Sequence, residues 1–215
     1  MSSPASARTT VRRLRERGVY DAGTIESILD EALICHVGVV VDGTPLVLPT
    51  IHARQGRTVY LHGAPANALL RAGDGAEVCV TATLVDGLVL ARSAFHHSVN
   101  YRSVVVRGPA RAVTDPGEKR AALESLVEHV APGRSREARE PSDEELRATL
   151  VLAVPLDEAS AKVRTGPPKD EPEDHALPHW AGVLPLAVVP GQPEADPDTP
   201  ADRPVPPSVE GWRRP

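Results

Sequence analysis

The sequence predicts a mixed α+β domain, mainly β, built as an antiparallel barrel with helices at its margins. Three observations carry this. Short Val-rich runs follow one another through hairpin-type turns, as at Asp42-Gly43. Helical spacing is confined to stretches outside those runs. Neither GxGxxG after a strand nor a Walker loop is present, which removes the commonest doubly wound nucleotide-binding alternatives.

Taken in order, residues 1–20 are an arginine-rich arm with little to bury. Thr24 can cap a helix in which Ile25, Ile28, Leu29, Ala32 and Leu33 form an apolar stripe. Ile34–Val41 is a strand, Asp42-Gly43 its turn, and Leu46–Arg54 the returning strand. Pro49 lacks an N–H for a ladder, so an edge or bulged position is expected there. Thr58–Gly63 follows as a third strand, and Ala66–Ala72 as a short helix with Pro65 at its start. The N–H groups of that helix are a candidate place for an anion. Glu77–Leu84, Leu88–Arg92 and Ser103–Gly108 are further strands, with a turn expected at Asp86-Gly87. Asp115, Pro116 and Glu118 have the spacing of a capping box opening a helix that runs to about Val130. Ser142 and Glu145 repeat that signal before a last clear strand, Leu150–Val154. Residues 156–189 are expected to be ordered but irregular. From Pro190 to the end, Pro, Asp and Glu dominate, and no structure is expected. The division is thus an arm (1–20), a domain (21–189) and a tail (190–215).

Composition narrows the function. The 215 residues are 41% apolar but only 3% aromatic, so Val, Leu, Ala and Ile must fill the core. A formal charge of −5 argues against a nucleic-acid surface. Cys35 and Cys79 stand inside apolar runs and outside any CxxC, as expected of buried thiols in a reducing cytoplasm. With no stretch of about 20 apolar residues and no secretory signal, a cytoplasmic location and no membrane are expected.

One segment concentrates hydrogen-bonding side chains: Arg92, Ser93, Phe95, His96, His97, Ser98, Asn100, Tyr101 and Arg102, between two apolar runs. Histidines are spaced unlike HxxxH or HExxH, and Cys35 and His36 point to opposite faces of a strand, so no metal site is expected. A serine nucleophile would lack its usual elbow sequence. A bound planar, phosphorylated ligand suits the residues better. Histidines, Thr50, Asn100 and Tyr101 would meet its ring, and Arg54, Arg71, Arg92 and Arg102 its phosphate.

The stretches ICHVGVVVDGTPLVLPTIHAR, TVYLHGAPAN and ARSAFHHSVNYRSVVVRG resemble the pyridoxamine 5′-phosphate oxidase-like flavin-binding proteins, in particular the branch with the nitroimidazole-resistance proteins. The resemblance covers roughly residues 10–190. It implies an FMN-binding split β-barrel that forms a homodimer with the cofactor at the subunit interface. It implies that Pro49, Thr50, Ile51, His52 and Arg54 run along the flavin ring. Tyr60, His62, Gly63 and Asn67 would then approach the ribityl phosphate. Relatives place Ser-Arg or Ser-Lys in that turn, where this chain has Asn67-Ala68; Arg71 or Arg102 would supply the missing cation. Arg92, Ser98, Asn100, Tyr101 and Arg102 would line the cleft. The expected activity is flavin-dependent oxidation or reduction of a small planar substrate, with His96 or His97 as proton donor, imidazole being the side-chain type that titrates near neutrality. Haem and deazaflavin are the alternative cofactors that the family implies, and a non-catalytic carrier or haem-degrading role is the alternative function.

Overall fold

The computed structural model describes residue 4 and residues 6–213, so the outermost positions of the expected arm and tail lie outside the described residues. Ten strands form one continuous sheet that curls into a barrel. Strand β1 (Gly18–Val19) is followed by helix α1 (Ala22–Glu31), then β2 (Ile34–Val41), β3 (Thr44–Gln55) and β4 (Thr58–Gly63). Helix α2 (Ala68–Gly73) precedes β5 (Glu77–Leu90), β6 (Ser98–Pro109) and β7 (Arg111–Ala112). Helices α3 (Pro116–Val130) and α4 (Asp143–Arg147) lead to β8 (Leu150–Pro155), β9 (Glu158–Arg164), β10 (Gly182–Pro185) and α5 (Pro207–Glu210). The strand order is β1-β9-β6-β5-β2-β3-β4-β8-β7, with β10 paired to β5, and every named pairing is antiparallel.

Alternation decides which side chains fill the barrel. Cys35, Val37, Val59, Leu61, Val80, Val104, Val106, Leu152 and Val154 are fully buried inside, and Ile28 and Leu29 of α1 join them. The Cys35 thiol is pushed up to about 12 by burial, so it serves as a small apolar side chain. Outside the barrel, α3 covers β4 and β8 through Ala122, against Tyr60, Val151 and Ala153.

The local signals work as follows. At Asp42-Gly43 both residues have positive φ, as a tight two-residue hairpin requires. Pro49 opposes His36 of β2 on one side, while β4 reaches only residues 52–55 on the other, so the proline stands at a local edge. Asp21, rather than Thr24, caps α1, accepting a hydrogen bond from Thr24 N at 2.8 Å. Asp115 caps α3 through Glu118 N at 2.7 Å. Replacing Asp115 with Ala should cost about 1 kcal/mol in urea unfolding. Glu118 does not close the expected box: its carboxylate meets Arg111 and Tyr60 instead. Ser142 and Glu145 form both halves of theirs.

Further expectations change. Asp86-Gly87 is no hairpin turn, because β5 runs through it with only a register shift against β6. The glycine is needed for contact: a Cβ there would lie 3.0 Å from the Leu184 carbonyl of β10. Second, the polar segment is nearly half strand, since Ser98–Arg102 opens β6 while Arg92–His97 makes a connection, part of it a 3-10 turn. The tail from Pro190 is largely irregular and exposed, but α5 docks by Ser208 on Glu137 and Trp212 donates to the Val130 carbonyl at 2.8 Å. No helix of the described residues is long and apolar enough to cross a membrane.

Candidate functional site

Strand β3 divides the PTIHAR stretch between two environments. Thr50, His52 and Arg54 point towards α1, whereas Pro49 and Ile51 stay exposed on the other face. Arg54 is bound to Asp30 through Nε at 2.9 Å and Nη2 at 2.6 Å, and its Nη1 donates to the Gly56 carbonyl. His52 has no exposed surface; its Nε2–H donates to the Leu29 carbonyl at 2.9 Å. His129 from α3 makes the same bond to the Ala32 carbonyl, and the two rings lie 4.7 Å apart. Burial, then the His129 ring, push His52 down to about 4. Both histidines thus close carbonyls at the end of α1. His52 and Arg54, expected to meet a flavin ring, are occupied within the fold, and within the PTIHAR stretch the exposed residues are Pro49 and Ile51.

Next to it on β4, Tyr60 donates to Glu118 at 3.0 Å. His62 is half-buried; the register that pairs His52 with Leu61 sets it beside Ile51. Its Nδ1 is buried, no hydrogen bond reaches either ring nitrogen among the described residues, and burial lowers its pKa. The ring is therefore neutral at pH 7 with an unused lone pair. The anion place expected at α2 is filled by the chain itself. Asn67, the N-cap, accepts from Leu69 N at 3.0 Å and Leu70 N at 3.2 Å. Gly63 lies against the same asparagine: a Cβ there would come within 3.3 Å of Asn67 Nδ2. Arg71 is exposed and has no ion pair among the described residues.

The third group lies across the sheet, with β2 and β5 between β3 and β6. Arg92 binds Asp170 through its backbone N at 3.0 Å and Nη1 at 3.1 Å, and Ser93 N adds a longer bond. The Asp170 side chain is only 1% exposed, so it ties the 165–171 loop to this connection. Although burial raises the pKa of Asp170, hydrogen bonds from Arg92 and Ser93 hold it below the usual carboxylate range. His97 Nδ1 is 3.1 Å from the Ser93 carbonyl, which makes that nitrogen the donor and leaves Nε2 with the lone pair. His96 Nε2 is 3.7 Å from Glu171, and the Phe95 ring is 88% exposed. Ser98 is half-buried at the start of β6. Asn100 is buried and donates to the Gly166 carbonyl at 3.1 Å; Tyr101 is half-buried. Arg102 is claimed by Glu31 and by Asp86, the latter at 2.8 Å.

Of the four arginines expected to meet a phosphate, Arg54, Arg92 and Arg102 are therefore held by carboxylates, and Arg71 stands unpaired among the described residues. One chain brings Pro49, Ile51, His62 and Asn67 together at one end of an open sheet face and keeps the Arg92–Arg102 group apart from them. Arg164, Asp170 and His129 were missed. Nothing in their local sequence sets them apart, because their partners are remote. Among the described residues no group of three or more His, Cys, Asp or Glu could hold a metal.

The sequence pattern of a family described as pyridoxamine 5′-phosphate oxidase matches residues 21–163. Among solved structures, the flavocytochrome Anf3 from Azotobacter vinelandii is 40% identical over 99% of each chain, with a TM-score of 0.92. An FAD- and haem-binding protein from Mycobacterium smegmatis is 37% identical over 91% of this chain and 96% of its own, with a TM-score of 0.87. A candidate 5-nitroimidazole antibiotic resistance protein from Bacteroides thetaiotaomicron is 30% identical over 68% of this chain and 86% of its own, with a TM-score of 0.57. No match is found among curated proteins.

Proposed function

Since the chain belongs to the pyridoxamine 5′-phosphate oxidase family, we propose that it is a flavin-binding oxidoreductase acting on a small planar substrate. The observation that carries this is the open face where Pro49 and Ile51 meet His62. It is an apolar strand surface bordered by a neutral imidazole whose buried Nδ1 has no partner among the described residues. A flat heteroaromatic ring fits such a surface, and a ring carbonyl or N–H would complete the hydrogen bonding of His62.

A flavin bound there supplies hydride or single-electron transfer. The chain's own residues then hold the ring, exclude water with Ile51 and Pro49, and present His62 at its edge. His97, held through Nδ1 on Ser93, offers Nε2 to take up or release a proton when it is brought to the substrate.

The cleft also needs a second wall. Ile34, Val40, Val47 and Val85 are 52%, 63%, 60% and 49% exposed on β2, β3 and β5, an apolar surface that a homodimer would cover. Val47→Asp is expected to convert a dimer to monomers in sedimentation velocity. Unchanged mass for this variant would remove that face from the interface.

The test of cofactor binding is the absorption spectrum of the purified protein. Flavin bands, or their appearance on titration with FAD or FMN, are expected, and bleaching by NADH or NADPH would mark an enzyme rather than a carrier. A colourless protein that neither flavin titrates would overturn the reading. The second reading adds haem. It is supported by the two relatives named for haem or cytochrome content and by His97, since a ligating imidazole commonly donates its other N–H to a carbonyl. A Soret band that His97→Ala weakens or shifts is the expected result; an unaltered band would exclude His97 as ligand.

A further inference from the structure

Arg164, at the end of β9, is the one arginine buried among the described residues, with 7% of its surface exposed. Arg54, Arg92 and Arg102 each meet a carboxylate; among the described residues Arg164 meets none. Its Nη1 donates to Asn100 Oδ1 and, at 3.3 Å, to the Gly166 carbonyl, and its Nη2 donates to the Pro167 carbonyl at 3.3 Å. Neutral acceptors satisfy N–H groups but leave the charge uncompensated, which is costly for a buried ion.

The neighbours add to that charge. Gly18 of β1 pairs with Lys162, so Arg17 immediately before it lies beside the end of β9. Burial lowers the Arg164 pKa, and the nearby Arg17 lowers it further. Arg17 and Lys162 are half-buried, and neither side chain has a hydrogen bond or ion pair among the described residues. Lys162 and Arg164 alternate on one face of β9, opposite Ser103 and Tyr101 of β6. Three cations and a phenol on one partly open patch form an arrangement that a multiply charged anion would stabilise.

We propose that Arg164, Arg17, Lys162 and Tyr101 form a binding site for the diphosphate of a dinucleotide, the group shared by FAD and the nicotinamide dinucleotides. A carboxylate or a monoester phosphate neutralises fewer of these charges than a diphosphate does. The turn after β4 offers no comparable cluster, because Asn67 already occupies its N–H groups. In its FAD form the assignment rests on the flavin reading above, with the ring on the β3–β4 face of one subunit and this cluster supplied by the other, since β6, β5 and β2 lie between β9 and β3 in one chain. It explains how the chain would prefer a dinucleotide to FMN.

The test is calorimetric titration of the purified full chain with FAD, FMN, ADP and inorganic phosphate, alongside the R17Q/K162Q double variant and Arg164→Lys. Neither Arg17 nor Lys162 makes a folding contact through its head group, so the double variant should keep the wild-type melting temperature. Wild-type protein is expected to bind FAD at least tenfold more tightly than FMN, and to bind ADP measurably. The double variant should lose both properties while weakening FMN much less than FAD, and Arg164→Lys should weaken ADP binding. ADP that FAD displaces assigns the diphosphate to the flavin cofactor. ADP that still binds FAD-loaded protein assigns it to a nicotinamide dinucleotide reductant. ADP binding that the double variant abolishes, in a protein that no flavin titrates, would sustain the site and defeat the flavin reading. Normal flavin binding with no ADP binding, or with ADP binding that the double variant retains, would overturn the site and leave the flavin reading intact.

Discussion

Acidification from pH 7 to pH 4 should remove about 3 kcal/mol of folding stability through His52 alone. In the folded protein this imidazole is held down at about 4, against 6.5 for an ordinary histidine, first by burial and then by the His129 ring. The bond to Leu29 and the charge of Asp30 oppose the shift without cancelling it. The sign follows from where the proton binds. Between pH 6.5 and 4 the unfolded chain protonates and the folded chain does not, so acid favours unfolding. The contribution is complete above pH 6.5 and is lost as the pH falls towards 4. Urea unfolding at several pH values, for wild type and His52→Gln, measures it. Glutamine can still donate to the Leu29 carbonyl but does not titrate, so the variant should lose less stability across this window. Equal losses in the two proteins would show that His52 is not the responsible group.

Replacing Arg102 with Met should destabilise the fold by about 2 kcal/mol, below the full cost of breaking a buried ion pair because the side chain is 29% exposed. Its pKa is raised by the hydrogen bond it donates to Glu31 and then by that to Asp86, the mark of a cation held between two acids. Methionine fills similar space yet leaves those carboxylates without this cation, and α1 loses its tie to the irregular part of β5 and to β6. Arg71→Gln should leave stability unchanged, because no such contact is lost. Unfolding curves check both variants, and flavin titration of the folded fraction separates stability from binding. If Arg102→Met stays fully stable but no longer takes up flavin, the bracket interpretation is wrong and Arg102 belongs to the ligand.

The sites differ in how far the sequence reveals them. The hairpin at Asp42-Gly43, the cap at Asp115, the box at Ser142 and the alternation that fills the barrel all depend on residues within four positions of one another. They were legible for that reason. Strand β9 was not, because EASAKVR carries too little bulk on its inner side to stand out, and its Ala159 and Ala161 are buried only because β6 lies beside them. Asp86-Gly87 carries the same dipeptide signal as Asp42-Gly43, but pairing with β6 and contact from β10 hold it extended. The chemistry of PTIHAR was legible, whereas its division between two faces depended on where α1 and α3 came to rest.

What the sequence determined alone is the antiparallel barrel, its marginal helices and the family to which the chain belongs. These follow from side-chain period, turn chemistry and contiguous stretches of residues. Tertiary structure decided which polar groups remain available for a ligand. Arg102 meets Glu31 across 71 positions, Arg92 meets Asp170 across 78, and His129 meets Ala32 across 97. No local pattern encodes such partners, because each depends on the folded sheet bringing distant strands and loops together. The same folding leaves Arg164 buried without an acid and His62 without a hydrogen bond, and those two residues carry the functional proposals.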